Sequence, residues 1–458
     1  MLPSDRSAQY QLLRSQHKIF YFEGFTSTFT NVGLRIEFLF NIDGLTRFQP
    51  VSVFHFGKYK EIFLRNYQEN KPLAEQLIFN IGLIELISYW KASCAPVIQV
   101  PGHSLSEVQV EWWKKLYFNG LGEFFYMNGL NPDMEHFVDI VSSGQPFEPQ
   151  IVRGMGDGFL LPVGGGKDSA VTLELLKNVK AEIIPLIINP RAASIQTLIA
   201  AGIDANDMAS ITRTIDPELI RLNSLGYLNG HTPFSAMLAF YSLMASLLSG
   251  KGNIALSNES SANEATIPGT HINHQYSKSF AFEQDFRGYV NRYISPSFNY
   301  FSFLRPLNEL QIVSIFAELN QYHRVFKSCN VGSKTDSWCG KCPKCMFTHI
   351  MLSAFKGKAY TDEILGAKML DDREMSVIFD ELCGFSLNKP FECVGTIDDV
   401  TKALQMIADQ YNDHDKPLLV DRFLRLRKEN LLPSYPEDIS FNHNLSPAHL
   451  EILKNALL

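Results

Sequence analysis

Residues 160–169 read Leu-Leu-Pro-Val-Gly-Gly-Gly-Lys-Asp-Ser: an apolar run, three glycines, then a cation, a carboxylate and a hydroxyl. Such a run suits a buried strand that ends in a tight turn, and Gly164, Gly165 and Gly166 let backbone N–H groups come close to an anion. Val171, Leu173, Leu175 and Leu176 follow with the apolar pattern of a helix, whose positive end would face the same anion. Strand, phosphate loop and helix are therefore expected in succession. Gly164, Gly165 and Gly166 are the expected nucleotide-binding residues, and Lys167, Asp168 and Ser169 the expected catalytic ones. Spacing excludes a Walker A loop, since Gly166-Lys167 is followed by Asp168 and no glycine stands five before Gly166. A dinucleotide fingerprint fails for want of a third glycine at the required offset.

Around the loop, strand patterns at 158–163, 182–188 and 253–256 interleave with helical patterns at 168–178, 194–201, 206–210 and 232–249. That alternation predicts an α/β fold with a doubly wound parallel sheet. Ligands of such sheets sit at the carboxyl ends of the strands, which brings Asn189 and Ser257-Asn258-Glu259 beside the loop as further nucleotide-binding residues. Asn258, Glu259, Asn263 and Glu264 offer oxygen atoms to Mg²⁺ or ribose.

Before the loop, residues 18–54 alternate apolar with polar and carry the turn Asn41-Ile42-Asp43-Gly44, which predicts antiparallel strands. With helices at 72–93 and 107–119 and a strand at 96–100, this reads as a self-contained α+β region. Three domains are expected: an N-terminal α+β substrate-binding domain (1–148), a nucleotide domain (149–358) and a mainly helical C-terminal region (359–458).

Four of the seven cysteines, Cys329, Cys339, Cys342 and Cys345, lie close together with nine, two and two residues between them. That spacing suits a closed tetrahedral Zn²⁺ site, with an iron–sulfur cluster as the other metal reading. Lys341 and Lys344 would offset the thiolate charge, while Cys94 and Cys383 sit in apolar surroundings typical of a core. A metal site of thiols fits a reducing cytoplasm better than a disulfide framework. A net charge of −7 argues against a sequence-independent nucleic-acid binder. The most apolar segment, 234–248, is too short to span a bilayer, so no membrane partner is expected.

The loop resembles the PP-loop of ATP pyrophosphatases, Ser-Gly-Gly-x-Asp-Ser, with Gly164 in place of the first Ser. The similarity to the QueC branch continues through Gly230-His231-Thr232-Pro233-Phe234, the Ala-rich helix, Ser257 to Glu264 and the cysteine cluster. Taken with the N-terminal region, loop and cysteines resemble the MurL family, and the resemblance covers the whole chain. It implies an ATP- and Mg²⁺-dependent epimerase that adenylates the glutamate carboxylate of UDP-N-acetylmuramoyl-L-alanyl-L-glutamate and inverts L-Glu to D-Glu, with a structural Zn²⁺. Adenylation removes the carboxylate charge that opposes loss of the Cα proton. The candidate bases are His271 and His274, in a polar segment after Glu264, and Cys393, just before the capping box Thr396/Asp399. Arg287 is a candidate grip for a substrate carboxylate. A QueC-like ligase using ammonia, sulfur transfer to tRNA and a nucleotide-binding regulator without turnover stay open as alternatives.

Overall fold

Every second residue from 34 to 42 is apolar, and Leu34, Ile36, Phe38, Phe40 and Ile42 are buried together on one face of a strand. The computed structural model describes residues 4–152, 155–179, 181–267, 272–386, 388–427 and 438–458. In the first part of the chain, β1 (Ile19–Phe29), β2 (Gly33–Ile42), β3 (Thr46–Phe48) and β4 (Val51–His55) form antiparallel pairs, as the alternation predicts. β5 (Val97–Val100) and β6 (Asp139–Ser142) extend the free edge of β1 in parallel.

The second part is parallel throughout. β7 (Gly156–Pro162), β8 (Ile183–Ile188), β9 (Ala209–Thr214), β10 (Lys251–Leu256) and β11 (Asn299–Ser302) stand in the order β9-β8-β7-β10-β11. The chain runs outward from β7 to β9 and then returns past β7 to β10, so the order reverses between β7 and β10. Both faces are covered. Leu160, Ile184, Leu186 and Ile254 share one core with the helices Lys71–Trp90 and Phe234–Ser249. Phe159, Leu161, Ile187 and Ala255 share another with the helices Lys167–Lys177 and Glu309–Glu318. Consecutive strand residues point to opposite faces, which is why these strands read as continuous apolar runs.

Two expectations are corrected. The helix expected at 206–210 is a short turn, Ala205–Asp207, followed by β9, whose Ile211, Thr212 and Thr214 are β-branched. The N-terminal region is also not self-contained: β4 pairs antiparallel with β9, from Val51 opposite Thr214 to His55 opposite Ser210. One sheet of eleven strands among the described residues thus runs through both halves. Beside this junction the Arg213 guanidinium donates to both Glu85 carboxylate oxygens, at 2.5 and 2.8 Å, and Tyr241 Oη donates to the same carboxylate at 2.8 Å.

After the sheet the chain is mainly helical. The helices Pro343–Lys356, Lys358–Leu365, Ser376–Leu382, Ile397–Ala408 and Leu418–Leu426 build a further core that includes Cys329, Cys342 and Cys345. Among the described residues no helix is long and apolar enough to cross a membrane.

Arg213→Met strands a Glu85 carboxylate that is 1% exposed. Urea unfolding is expected to show a loss of about 3–5 kcal/mol. Breaking the exposed Arg324–Glu363 pair by Arg324→Met should cost less than about 1 kcal/mol.

Candidate active site

A cavity of about 710 Å³ opens at the carboxyl ends of β7, β8 and β10, where the strand order reverses. Gly164, Gly166, Asp168 and Ser169 line it from the loop after β7, Asn189 and Arg191 from the turn after β8, and Ser257 and Asn258 from the segment after β10. Gly165 has φ +87°, and a Cβ there would stand 2.8 Å from Ser194 N, so this turn requires glycine. Gly164 differs: a Cβ would meet nothing within 4 Å, so the Ser of the PP-loop pattern is not excluded by space. Ser169 Oγ donates to Gly166 O at 3.0 Å and fixes the start of the helix. The buried Ser257 Oγ has no hydrogen-bond partner among the described residues, a donor and acceptor available to a ligand.

Two predicted residues are turned away from the cavity, and a third reaches its wall with its side chain already engaged. Lys167 is buried, with its ammonium 2.5 Å from both Asp168 Oδ1 and Glu309 Oε1. Burial opposes its charge, but the Asp168, Glu309 and Glu259 carboxylates outweigh it and hold the pKa above that of an ordinary lysine. Burial, with Asp168 and Glu259 nearby, pushes Glu309 upward, and the Lys167 ammonium in contact with it opposes that shift and favours the carboxylate. Lys167 therefore braces the loop from behind. The Glu259 side chain is also buried, accepting from Ser261 Oγ at 3.2 Å. The Asn189 side chain is occupied by β9, accepting from Arg213 N at 2.8 Å and donating to Arg213 O at 3.0 Å, so only its position on the wall is as expected.

The loop's front wall comes from the cysteine segment. Lys327 N donates to Gly165 O at 2.8 Å, and Asp336 Oδ1 accepts from Ala193 N at 3.1 Å. Lys327, Asn330 and Lys344 consequently line the cavity. Behind them the four sulfurs of Cys329, Cys339, Cys342 and Cys345 form one group, with Sγ–Sγ separations of 3.5, 3.7 and 3.8 Å. Sulfurs about 2.3 Å from a tetrahedral centre lie about 3.8 Å apart, so the group fits a single ion. Gly332 N and Cys339 N donate to Cys329 Sγ, and Lys341 N to Cys339 Sγ, which offsets thiolate charge.

Of the candidate bases, His271 lies outside the described residues, whereas His274 and Cys393 meet. The side chains of His274 and Cys393 each favour the other's charged form, and His274 Nδ1 hydrogen-bonds Glu123 Oε2. His231 Nδ1 approaches the same oxygen at 3.2 Å. Burial alone would push the Cys393 thiol up, but the Lys278 ammonium, the His274 hydrogen bond and Lys344 bring it down to about 6. His274 resists burial through Cys393 and Glu123 and rises to about 9, while burial and the His274 charge lower His231 to about 4. Lys278 links this cluster to the cavity, which it lines. The loop bearing Cys393 is held by Tyr126 Oη, which accepts from Asn388 at 3.1 Å, by Glu392, which accepts from Asn330 at 2.6 Å, and by the Lys389–Glu264 pair.

Several other candidates are structural. Asn263 Oδ1 caps the helix Phe280–Tyr293 at Phe280 N, and Arg287 donates to Asn299 and Tyr300. The Thr396/Asp399 capping box is present, and Cys94 and Cys383 are buried core residues, as expected. Glu123 and Lys278 were not singled out from the sequence, and His231 entered only within the run 230–234. Lys278 lies four residues after His274, the one signal that pointed to it.

A glycine loop at the reversal point of an α/β sheet, opening on a cleft bordered by lysines, defines the class as an α/β protein with a ligand-sized cleft at its switch point. Residues 12–303 match the MurL N-terminal domain and residues 325–432 the MurL C-terminal domain, and the chain belongs to the MurL family. A protein of Xanthomonas oryzae pv. oryzae named UDP-N-acetyl-alpha-D-muramoyl-L-alanyl-L-glutamate epimerase is 34% identical over 80% of this chain and 81% of its own. Relatives of the same name from Salinispora tropica and a Micromonospora species are 34% and 32% identical, each over 76% of this chain and 78% and 80% of their own.

Gly165→Ala should destabilise the fold by about 1–3 kcal/mol, whereas Gly164→Ala should stay within about 0.5 kcal/mol, as read by thermal or urea unfolding. Iodoacetamide should alkylate Cys393 at near-maximal rate down to about pH 7, the rate falling as pH drops through about 6 and the thiolate takes a proton. Loss of reactivity already at pH 8 would contradict the ion pair; Cys393→Ser supplies the background rate.

Proposed function

We propose that the chain is an ATP-dependent epimerase that adenylates the glutamate α-carboxylate of UDP-N-acetylmuramoyl-L-alanyl-L-glutamate, releasing diphosphate and AMP, and inverts L-Glu to D-Glu for peptidoglycan synthesis. The observation that carries this reading is the adjacency of two devices: a glycine loop lining a cleft, and the Cys393–His274 pair joined to that cleft through Lys278. The relatives' printed names supply the substrate. Strand order and loop letters support a nucleotide domain of PP-loop type over 149–358, with residues 1–148 contributing to the substrate side through Glu123. ATP and a nucleotide-linked precursor fit a cytoplasmic reaction.

In this reading the backbone N–H groups at Gly164 and Gly166, at the start of the helix Lys167–Lys177, hold phosphate oxygens, with Ser169 and Lys327 beside them. Lys167 positions the loop and does not touch phosphate. Asp168, a carboxylate on the cavity wall, fits Mg²⁺ together with phosphate oxygens, and Asn258 is the neighbouring oxygen donor. Mg²⁺ there would offset phosphate charge. Ser257 Oγ is suited to the nucleoside. The Cys393 thiolate is the base that takes the Cα proton once the neighbouring carboxylate has lost its charge, and the charged His274 ring, held by Glu123, keeps the thiol ionised. The four thiols fit a structural Zn²⁺ that keeps the segment bearing Lys327 and Asn330 against the loop.

Incubation with ATP, Mg²⁺ and the L-glutamate substrate in D₂O should yield AMP, diphosphate and deuterium at the glutamate Cα. AMP without deuterium would leave a carboxylate-activating ligase, and ADP in place of AMP would sink the adenylation reading. Stripping the thiol-bound metal with a strong chelator should lower Tm and weaken ATP binding together, because Lys327 and Asn330 stand on the cavity wall. Unaltered ATP affinity after complete metal loss would refute the clasp.

A further inference from the structure

Glu123, His231 and His274 come from three separate parts of the chain and converge on one point. The Nδ1 atoms of His274 and His231 both stand against Glu123 Oε2, the first in a hydrogen bond and the second at 3.2 Å. The two imidazole centroids are 4.6 Å apart, with the rings tilted by 53°. One ligand atom from each residue lies within 4.8 Å of the other two, and all three side chains are partly buried. Nitrogen and oxygen ligands about 2.1 Å from a tetrahedral Zn²⁺ stand about 3.4 Å from one another, which is the scale of this group.

The group is also held from outside. Lys91, buried just after the helix Lys71–Trp90, donates to Gly230 O, to His231 O at 3.1 Å and to Thr232 Oγ1 at 2.5 Å, fixing the main chain that carries the His231 ring. His274 N donates to Thr266 Oγ1 at 2.9 Å, and the neighbouring Asn273 Nδ2 donates to Ala262 O at 2.9 Å. Outer contacts of this kind orient ligands before an ion arrives. Asp133, Glu135 and His136 form the other such cluster outside the thiols among the described residues, and they differ on both counts. They are exposed and drawn from one short stretch, where Asp133 Oδ1 accepts from Glu135 N and His136 N.

We propose that Glu123, His231 and His274 bind a late first-row divalent cation, Zn²⁺ above all, at a second metal site separate from the four thiols. Two imidazoles and one carboxylate suit Zn²⁺ and its neighbours, whereas Mg²⁺ takes oxygen ligands, so the site differs in chemistry from Asp168 on the cavity wall. The ion takes the place of the proton in the His274–Glu123 hydrogen bond, and its positive charge stands where that proton's does. Three protein ligands leave a tetrahedral ion one position for water or an anionic oxygen of a ligand. Phe234, three residues after His231, and Lys278, four after His274, line the cleft. Four residues span at most about 14 Å, so an ion here stands close to the cleft. The site does not depend on the adenylation reading.

The full-length protein, dialysed against a weak chelator, should take up Co²⁺ with the weak visible bands of a nitrogen and oxygen site. Co²⁺ entering the four thiols is recognised by intense near-ultraviolet thiolate absorption, so the two sites are read apart. Zn²⁺ should bleach the visible bands, and a large excess of Mg²⁺ should not. In His231→Gln and Glu123→Gln, with native fold checked by circular dichroism, the affinity behind those bands should fall at least about a hundredfold, while metal at the four thiols is retained on elemental analysis. Thiolate absorption alone in the wild type, unchanged visible bands in both variants, or displacement by Mg²⁺ would overturn the proposal. The wild-type spectrum decides the matter even if both variants misfold.

Discussion

The antiparallel ladder between β4 and β9 decides how the rest of the molecule is placed. It converts two sheets, each with an edge that would otherwise expose unpaired backbone N–H and C=O groups, into one. The Glu85–Arg213–Tyr241 network locks the same junction, because a carboxylate buried there is costly unless its partners hold their geometry. With that junction set, the N-terminal helix Gly122–Met127 brings Glu123 to His274 and Tyr126 to the loop that carries Cys393. Residues 123, 274 and 393 thus become one cluster.

The cleft is shaped from behind and in front by different forces. Behind it, Lys167 sits between Asp168 and Glu309, a buried ion pair that holds the first turn of the helix to the helix Glu309–Glu318. In front, the four-thiol group holds the segment whose backbone reaches Gly165. Charge is distributed to match: Lys278, Lys327, Lys344 and Arg191 border the cavity, while Glu259 and Glu309 are withdrawn from it. An anionic ligand therefore meets cations and backbone N–H groups rather than the buried carboxylates, and Asp168 is the acidic side chain of the loop that remains on the wall.

Much of this was legible in the residues because it depends on local chemistry. The strand, loop and helix around Gly164 to Ser169 follow from apolar periodicity and glycine content, the four cysteines from their spacing, and the capping box at Thr396 from two side chains three apart. Misreadings came where a residue's partner is distant in sequence. Lys167 looked like a phosphate ligand because Glu309 could not be seen behind it. Asn189 and Glu259 stood in the right turns, but β9 and the buried charge cluster engage their side chains. Only the first two residues of β9 fell in the expected helix, and the rest was left unassigned, because its short Ala-Ser-Ile-Thr-Arg-Thr run becomes a strand through pairing with β8 on one side and β4 on the other.

The sequence by itself determined that this chain turns a glycine loop out of a buried strand and gathers four thiols into one group, since both need only neighbouring residues and the allowed geometry of the backbone. Tertiary structure alone decided which side chains face the cleft and which brace it, and that Glu123, His274, Lys278 and Cys393 come near one another. A shared charge and a shared proton depend on distances of a few ångströms, and those distances exist only once the sheet has joined its two halves and burial has raised the cost of leaving any charge unpaired.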